Sequence, residues 1–421
     1  MLPLNPSRSS LPTTYYLLPT ILLLASCSHL PSRKASDSWT VRDLVQTSEE
    51  VRPLACAFDQ TGQLRVIYAA REKMFHVAAP EGFSAGGLPE TLPFSAPPSR
   101  TPASLIFDAQ NRAHFFYQGK NGLHYAIRQN EGWILALLTD HLRNGASWQT
   151  FFDSQNVPTI IFEHRENFLA VTKPTTAGWR ELRLPLSDKN EPGRIVCSTA
   201  KLDAEHKRLH FAAIREKNKK AHLWYAAANI TNYPQRTVSA PTGIQEMLST
   251  DGVWEETFSL FEFKVNSIGG CTVNLGNDLP GSIHFTWVDW AKKQWTGKEH
   301  LRFGRYDKEW KIKTLEKNIA SGNRGLVFAR DSNGTDQFDL VVFNPTTQVL
   351  RYLALDEEGA MREKGTIPFL SGAPPCLALK KGTPQVGRGK KDVGNSKPGG
   401  GAWIVVSQKE GLKAFVENAR P

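Results

Sequence analysis

The chain lacks the short patterns on which recognisable chemistry is most often built. No His-Glu-Xaa-Xaa-His, no Gly-rich phosphate loop and no Cys-Xaa-Xaa-Cys pair occurs in its 421 residues, so no residue set points to a metal, a nucleotide or another cofactor. Long apolar runs are also missing. The run Tyr15 to Leu24, interrupted by Pro19 and Thr20, is too short to cross a bilayer as a helix, which needs about 20 residues. Nor is there an acidic excess: 51 Lys and Arg against 41 Asp and Glu permit an anionic partner without choosing one. Apolar residues make up 40% and charged residues 22%, with 26 prolines and 32 glycines spread along the chain. That composition excludes a coiled coil, a collagen and a wholly disordered polymer, and it supports a packed body.

The apolar run near the N-terminus ends in Leu24-Ala25-Ser26-Cys27, which resembles the lipobox of a bacterial lipoprotein. Small residues let the backbone enter a peptidase, and the cysteine thiol takes a diacylglyceryl thioether. The resemblance implies a signal peptide over 1–26, lipidation of Cys27, a short tether over 27–37 and a soluble body over 38–421. Ser28 after the lipidated cysteine implies the outer membrane of a diderm bacterium, and an ordinary signal peptide is the plainer alternative.

The body repeats. In the clearest copy, Ser104 to Asp108 is followed by a polar turn, then His114-Phe115-Phe116-Tyr117, Leu123-His124-Tyr125-Ala126 and the pair Gly132-Trp133. Short apolar or alternating runs between Gly, Asn and Asp turns read as antiparallel strands. Aspartates at the first turn recur at 59, 108, 153, 203, 278 and 331, about 45–50 residues apart with one wider interval, which is the spacing of four-stranded propeller blades. The copy from Cys376 to Phe415 lacks a fourth strand. Ser38-Trp39-Thr40-Val41-Arg42 matches the missing piece, so an all-β propeller closed by pairing of its terminal strands is expected. Setting aside the off-pattern stretches 241–268 and 380–398, about 48 residues per copy favour seven blades over six or eight. The repeat resembles bacterial secreted propellers and is distantly similar to sialidases. The sialidase Asp-box pattern is absent, which argues against a sialidase activity.

Candidate site residues fall into five groups. His114, His210 and His284 occupy one repeat position in three copies, which spaces them around a ring and favours a structural role over metal binding. Cys56, Cys197, Cys271 and Cys376 each fall in a first strand. Four thiols allow three connectivities, of which Cys197–Cys271 with Cys56–Cys376 joins neighbouring copies, and four buried free thiols are the alternative. Second-to-third-strand links carry Arg71, Lys73, Lys120, Arg165, Arg215, Lys217, Lys219, Lys220, Lys292 and Lys293, a basic rim suited to an anionic ligand or simply to solvent. Trp290 and Trp295 could stack on sugar faces beside Asp289.

Within 241–268, Glu255 and Glu256, taken with Asp289, are the acids for a carbohydrate-active hydrolase or lyase. An acid and a base some 5–10 Å apart would suffice. The Gly-rich basic stretch 380–398 reads as a solvated loop on the opposite face. These readings favour an envelope-anchored propeller that binds a carbohydrate or protein partner without catalysis, with the hydrolase or lyase and an envelope scaffold as alternatives. No nucleic-acid partner is expected, and the oligomeric state stays open.

Overall fold

In the computed structural model, described residues run from Trp39 to Glu417 apart from residues 380–401 and shorter connections, chiefly 80–87, 98–102, 143–147, 153–155, 165–167, 187–193, 231–235, 239–246, 276–282, 291–297, 321–325, 331–337, 345–348 and 369–374. Side chains are described for fewer residues, and those of Ile268–Leu275 and Ile283–Trp290 are not. Every regular element among the described residues is a strand. No helix among them is long and apolar enough to cross a membrane.

The strands form six sheets of four and one of six. Sheet one comprises Val51–Phe58, Leu64–Ala70, Lys73–Ala78 and Glu90–Ser95, and sheet two comprises Ala103–Phe107, Ala113–Gly119, Gly122–Gln129 and Gly132–Thr139. Sheet three begins with Trp148–Phe152, Pro158–Glu163, Phe168–Thr175 and Gly178–Pro185. Sheet four contains Arg194–Asp203, Arg208–Lys217, Lys220–Asn229 and Glu256–Lys264. Sheet five runs from Ile268 to Ala320 and sheet six from Leu326 to Pro368. The closing sheet orders Cys376–Leu379, Ala402–Gln408, Gly411–Glu417 and, at its outer edge, Trp39–Gln46.

First strands of successive sheets neighbour one another in chain order, and that of the closing sheet neighbours Val51–Phe58 of sheet one. The chain is therefore an all-β propeller. Its closure is the antiparallel pairing of Trp39–Gln46 with Gly411–Glu417, in which Trp39 lies opposite Glu417 and Gln46 opposite Gly411. Pairing Trp39–Gln46 with Gly411–Glu417 covers the edge of the third strand and leaves Trp39–Gln46 as the outer strand of the sheet.

One side-chain device recurs between sheets. Trp179 of sheet three meets Tyr125 of sheet two edge-on at 5.0 Å, and Trp39 of the closing sheet meets Tyr352 of sheet six edge-on at 5.5 Å. Trp133 of sheet two meets His76 of sheet one in the same manner at 5.9 Å. In each case an indole at the start of a fourth strand wedges against a ring on the third strand of the preceding sheet. The glycine that precedes the indole at two of these positions sits at φ 130° in Gly132 and 144° in Gly178, a region that L residues avoid.

The stretch 241–268 is not an insertion outside the repeat. Its C-terminal half, Glu256–Lys264, supplies the fourth strand of sheet four, pairing antiparallel with Lys220–Asn229. The added material is the hairpin of Arg236–Val238 and Met247–Asp251, and it joins sheet three by a parallel pairing of Met247–Asp251 with Gly178–Pro185. Residues 380–398 lie outside the described residues, between the first and second strands of the closing sheet.

Candidate functional site

Each sheet has two ends. One end carries the turns between first and second and between third and fourth strands. The other carries the links between second and third strands and the passages from sheet to sheet.

Turn-end chemistry is structural. Asp59, whose side chain is wholly buried, accepts hydrogen bonds from the Thr61 hydroxyl at 2.6 Å, from the amides of Thr61 at 2.9 Å and Gln63 at 3.0 Å, and from the Arg65 guanidinium at 2.8 Å. Asp108 repeats the turn with the amides of Gln110 and Arg112, the Arg112 guanidinium at 2.6 Å, and His114 Nε2 at 3.1 Å. Burial pushes both carboxyls up, but the hydrogen bonds outweigh it and hold both below the usual carboxylate value. Gln60 ties the two turns together by donating from its amide to Asn111 Oδ1 at 2.8 Å. These aspartates recur because a buried carboxylate is the acceptor that a tight turn needs, not because they meet a ligand.

The histidines complete the same framework. His114 Nδ1 lies 2.8 Å from the Tyr125 hydroxyl, and His210 Nδ1 lies 2.6 Å from the Tyr225 hydroxyl. Burial lowers the His114 pKa, with Asp108 opposing only in part. Each imidazole thus bridges the second and third strands of its own sheet. The side chain of His284 is outside the described residues, and no group of three or more metal-ligating side chains occurs among the described ones.

At the link end the candidates divide. Arg71 stands in the sheet-one link at φ 53° with 79% of its side chain exposed, and it pairs with Glu49 at 3.1 Å. Lys120 is exposed at the matching position of the sheet-two link, and Lys73, which opens the third strand of sheet one, is exposed two residues after Arg71. Glu72 and Asp140 are exposed near them. Arg215 departs from the expected rim: it is 9% exposed, and its guanidinium stacks 4.0 Å above the Trp224 ring between sheets three and four. Alternation explains the difference, because Arg215 shares a strand face with buried Leu209, Phe211 and Ala213. Arg165, Lys219, Lys292, Lys293 and Trp295 lie outside the described residues, as do the side chains of Lys217, Asp289 and Trp290.

The acids chosen for hydrolysis are not brought together by the strand registers. Glu256 opens its strand opposite Ala227, at the turn end of sheet four, and the exposed Glu255 beside it lies 4.0 Å from Arg208. Asp289 pairs with His300 next to the link end of sheet five. Six or so residues of strand, about 20 Å, separate those two levels. Of the four cysteines after Cys27, all lie in first strands as expected; Cys56 and Cys376 are free thiols in one apolar cluster, and the side chains of Cys197 and Cys271 are not described. Cys27 lies outside the described residues.

Trp254 carries weight that its sequence context does not announce. It follows the added hairpin, donates Nε1–H to the Pro185 carbonyl of sheet three at 2.6 Å, and packs on Phe211 at 6.0 Å and edge-on to Trp224 at 5.6 Å. The available signal was a tryptophan two residues ahead of a fourth strand.

No protein-family model and no curated protein matches the chain. Solved structures do. The β-propeller domain of Vanderwaltozyma polyspora Nup133 is similar at 9% identity and a TM-score of 0.48, over 91% of this chain and 98% of that one. The SapL1 lectin in complex with α-methyl fucoside is similar at 13% identity and 0.43, over 78% and 99%. The Aleuria aurantia lectin in complex with α-methyl-L-fucoside is similar at 11% and 0.43, over 77% and 98%. At such scores the likeness carries no argument about ligand or chemistry.

Proposed function

We propose that the chain is a lipoprotein of a bacterial cell envelope, anchored through Cys27 and directed to the outer membrane, whose seven sheets are seven blades of one ring with a glycan-binding link face. The binding is non-catalytic, with an envelope protein as the other partner it would suit. The observation that carries the reading is the contrast between the two ends of the sheets. Asp59, Asp108, His114 and His210 of the turn end are committed to turns and strand bridges, whereas Arg71, Lys73 and Lys120 of the link end are exposed on adjacent sheets. Exposed cations on a face walled by low-dielectric sheets concentrate anionic ligands. For the anchor, the support is Leu24-Ala25-Ser26-Cys27 behind an apolar run too short to span a bilayer.

A glycan array probed with the full chain at low and moderate salt tests the reading. Salt-sensitive capture of acidic glycans, lost at least about tenfold in the triple variant Arg71→Ala, Lys73→Ala, Lys120→Ala, is the expected result. Capture of neutral sugars unaffected by that variant would move the site to Trp290 and Trp295. Absence of capture at either salt would overturn glycan binding and leave the protein partner.

A further inference from the structure

The seam of the ring holds a feature that the binding face does not use. Cys56 lies in the first strand of sheet one, opposite Val66, and Cys376 opens the first strand of the closing sheet, opposite Val405. Those two strands are neighbours across the seam. Both side chains belong to one apolar cluster with Leu44, Val66, Val405 and Ala414, so the two thiols share one buried environment at the seam. We propose that Cys56 and Cys376 form a disulfide that locks the propeller ring at its inner edge.

Topology gives the bond its purpose. The pairing of Trp39–Gln46 with Gly411–Glu417 holds the outer edge of the closing sheet, but it is an ordinary ladder of hydrogen bonds between the two chain ends. The inner edge, where sheet one meets the closing sheet, is packed through side chains such as Phe58 on Trp403, and a bond from 56 to 376 would tie off nearly the whole ring as one covalent loop. Cross-links that close long loops restrict the unfolded chain most. Burial pushes the Cys56 thiol up, which suits a structural bond that exchanges slowly more than a catalytic thiolate.

The chemistry is a two-electron oxidation. One Sγ–Sγ bond forms and two S–H bonds break, while the two electrons and two protons reduce an exchange-active disulfide, through a mixed disulfide, to two thiols. Such oxidants belong to compartments outside the cytoplasm, so the bond in the cell rests on the export reading of residues 1–27. The pairing itself does not.

The test uses the full chain in two samples, one taken from cell envelopes with thiols trapped by acid and alkylation, the other purified and equilibrated with oxidised glutathione. A non-reduced digest of both should contain the peptides of Cys56 and Cys376 joined, about 2 Da lighter than their sum. In a Cys197→Ala, Cys271→Ala background, reduction should lower the melting temperature by about 5 °C or more, and the further change Cys56→Ala, Cys376→Val should abolish that response to reductant. Linkage in the glutathione sample alone would uphold the site and overturn the export reading. Free alkylation of both cysteines after glutathione treatment would overturn the pairing.

Discussion

The junction between sheets two and three and that between sheets three and four solve one packing problem in different ways. At the first, Trp179 enters its strand behind Gly178 and wedges against Tyr125. At the second, Val171 stands where the register puts Tyr125, since Val171 pairs with Leu182 as Tyr125 pairs with Ala136. No ring stands at that position to meet the next sheet, and the fourth strand of sheet four begins without a Gly-Trp pair. Trp254 fills the gap instead, one residue ahead of the repeat position. It leans on Phe211 and Trp224 of its own sheet and is tied to sheet three by its hydrogen bond to the Pro185 carbonyl. The hairpin that precedes it extends sheet three by two strands. Where a repeat loses one half of an aromatic pair, the other half becomes free to move, and new chain can enter.

Breaking the regular junction should cost most. Trp179 is 6% exposed, and Trp179→Ala is expected to lower unfolding stability by about 3–5 kcal/mol in a urea titration; a loss under about 1 kcal/mol would remove the wedge from the account. Asp108→Asn should come next, at about 2 kcal/mol, because the turn loses charge-assisted bonds from Arg112 and from two amides. Trp254→Phe keeps a ring against Phe211 but deletes the donor to Pro185, so about 1 kcal/mol is expected, well below Trp179→Ala. An equal cost for the two tryptophans would erase the distinction between the junctions.

Acid should weaken the regular region through its buried groups. Burial keeps His76 and His114 below the ordinary value of 6.5, so the unfolded chain takes up protons first and stability falls as pH drops from 6.5 toward the folded values. Asp59 and Asp108, held below 3.8, add a second loss as pH falls from 3.8. Melting temperature measured from pH 7 to pH 3 should therefore decline in both windows, and His114→Gln should flatten the upper one. Arg71→Ala should change stability least, within about 0.5 kcal/mol, since its pair with Glu49 is exposed; any effect belongs to ligand capture.

Much of this architecture was legible because the propeller writes it repeatedly. Asp59 and Asp108 mark turns, His114 and His210 face tyrosines, and Trp39 matched Trp133 and Trp179 from the far end of the chain. Each position recurs for the same local reason, so one copy explains the next. What escaped lies where the copies differ. The stretch 241–268 read as off-pattern, although Glu256–Lys264 is the fourth strand of sheet four, because that strand lacks the Gly-Trp signature. Arg215 read as a rim cation by its distance from the turn, yet the period-two alternation of its strand turns it onto Trp224. The parallel pairing of Met247–Asp251 with sheet three joins residues far apart in sequence, and no local pattern encodes it.

The claim on which the rest depends is that the two ends of the body complete one sheet. Amide hydrogen exchange of the full chain measures it directly. If Trp39–Gln46 is the outer strand of the closing sheet, those amides bonded to Gly411–Glu417 should exchange as slowly as the fourth-strand amides of sheet two, and Trp39→Ala should accelerate exchange in both terminal strands together. Rapid exchange across Trp39–Gln46 while Gly411–Glu417 stays protected would contradict the closure.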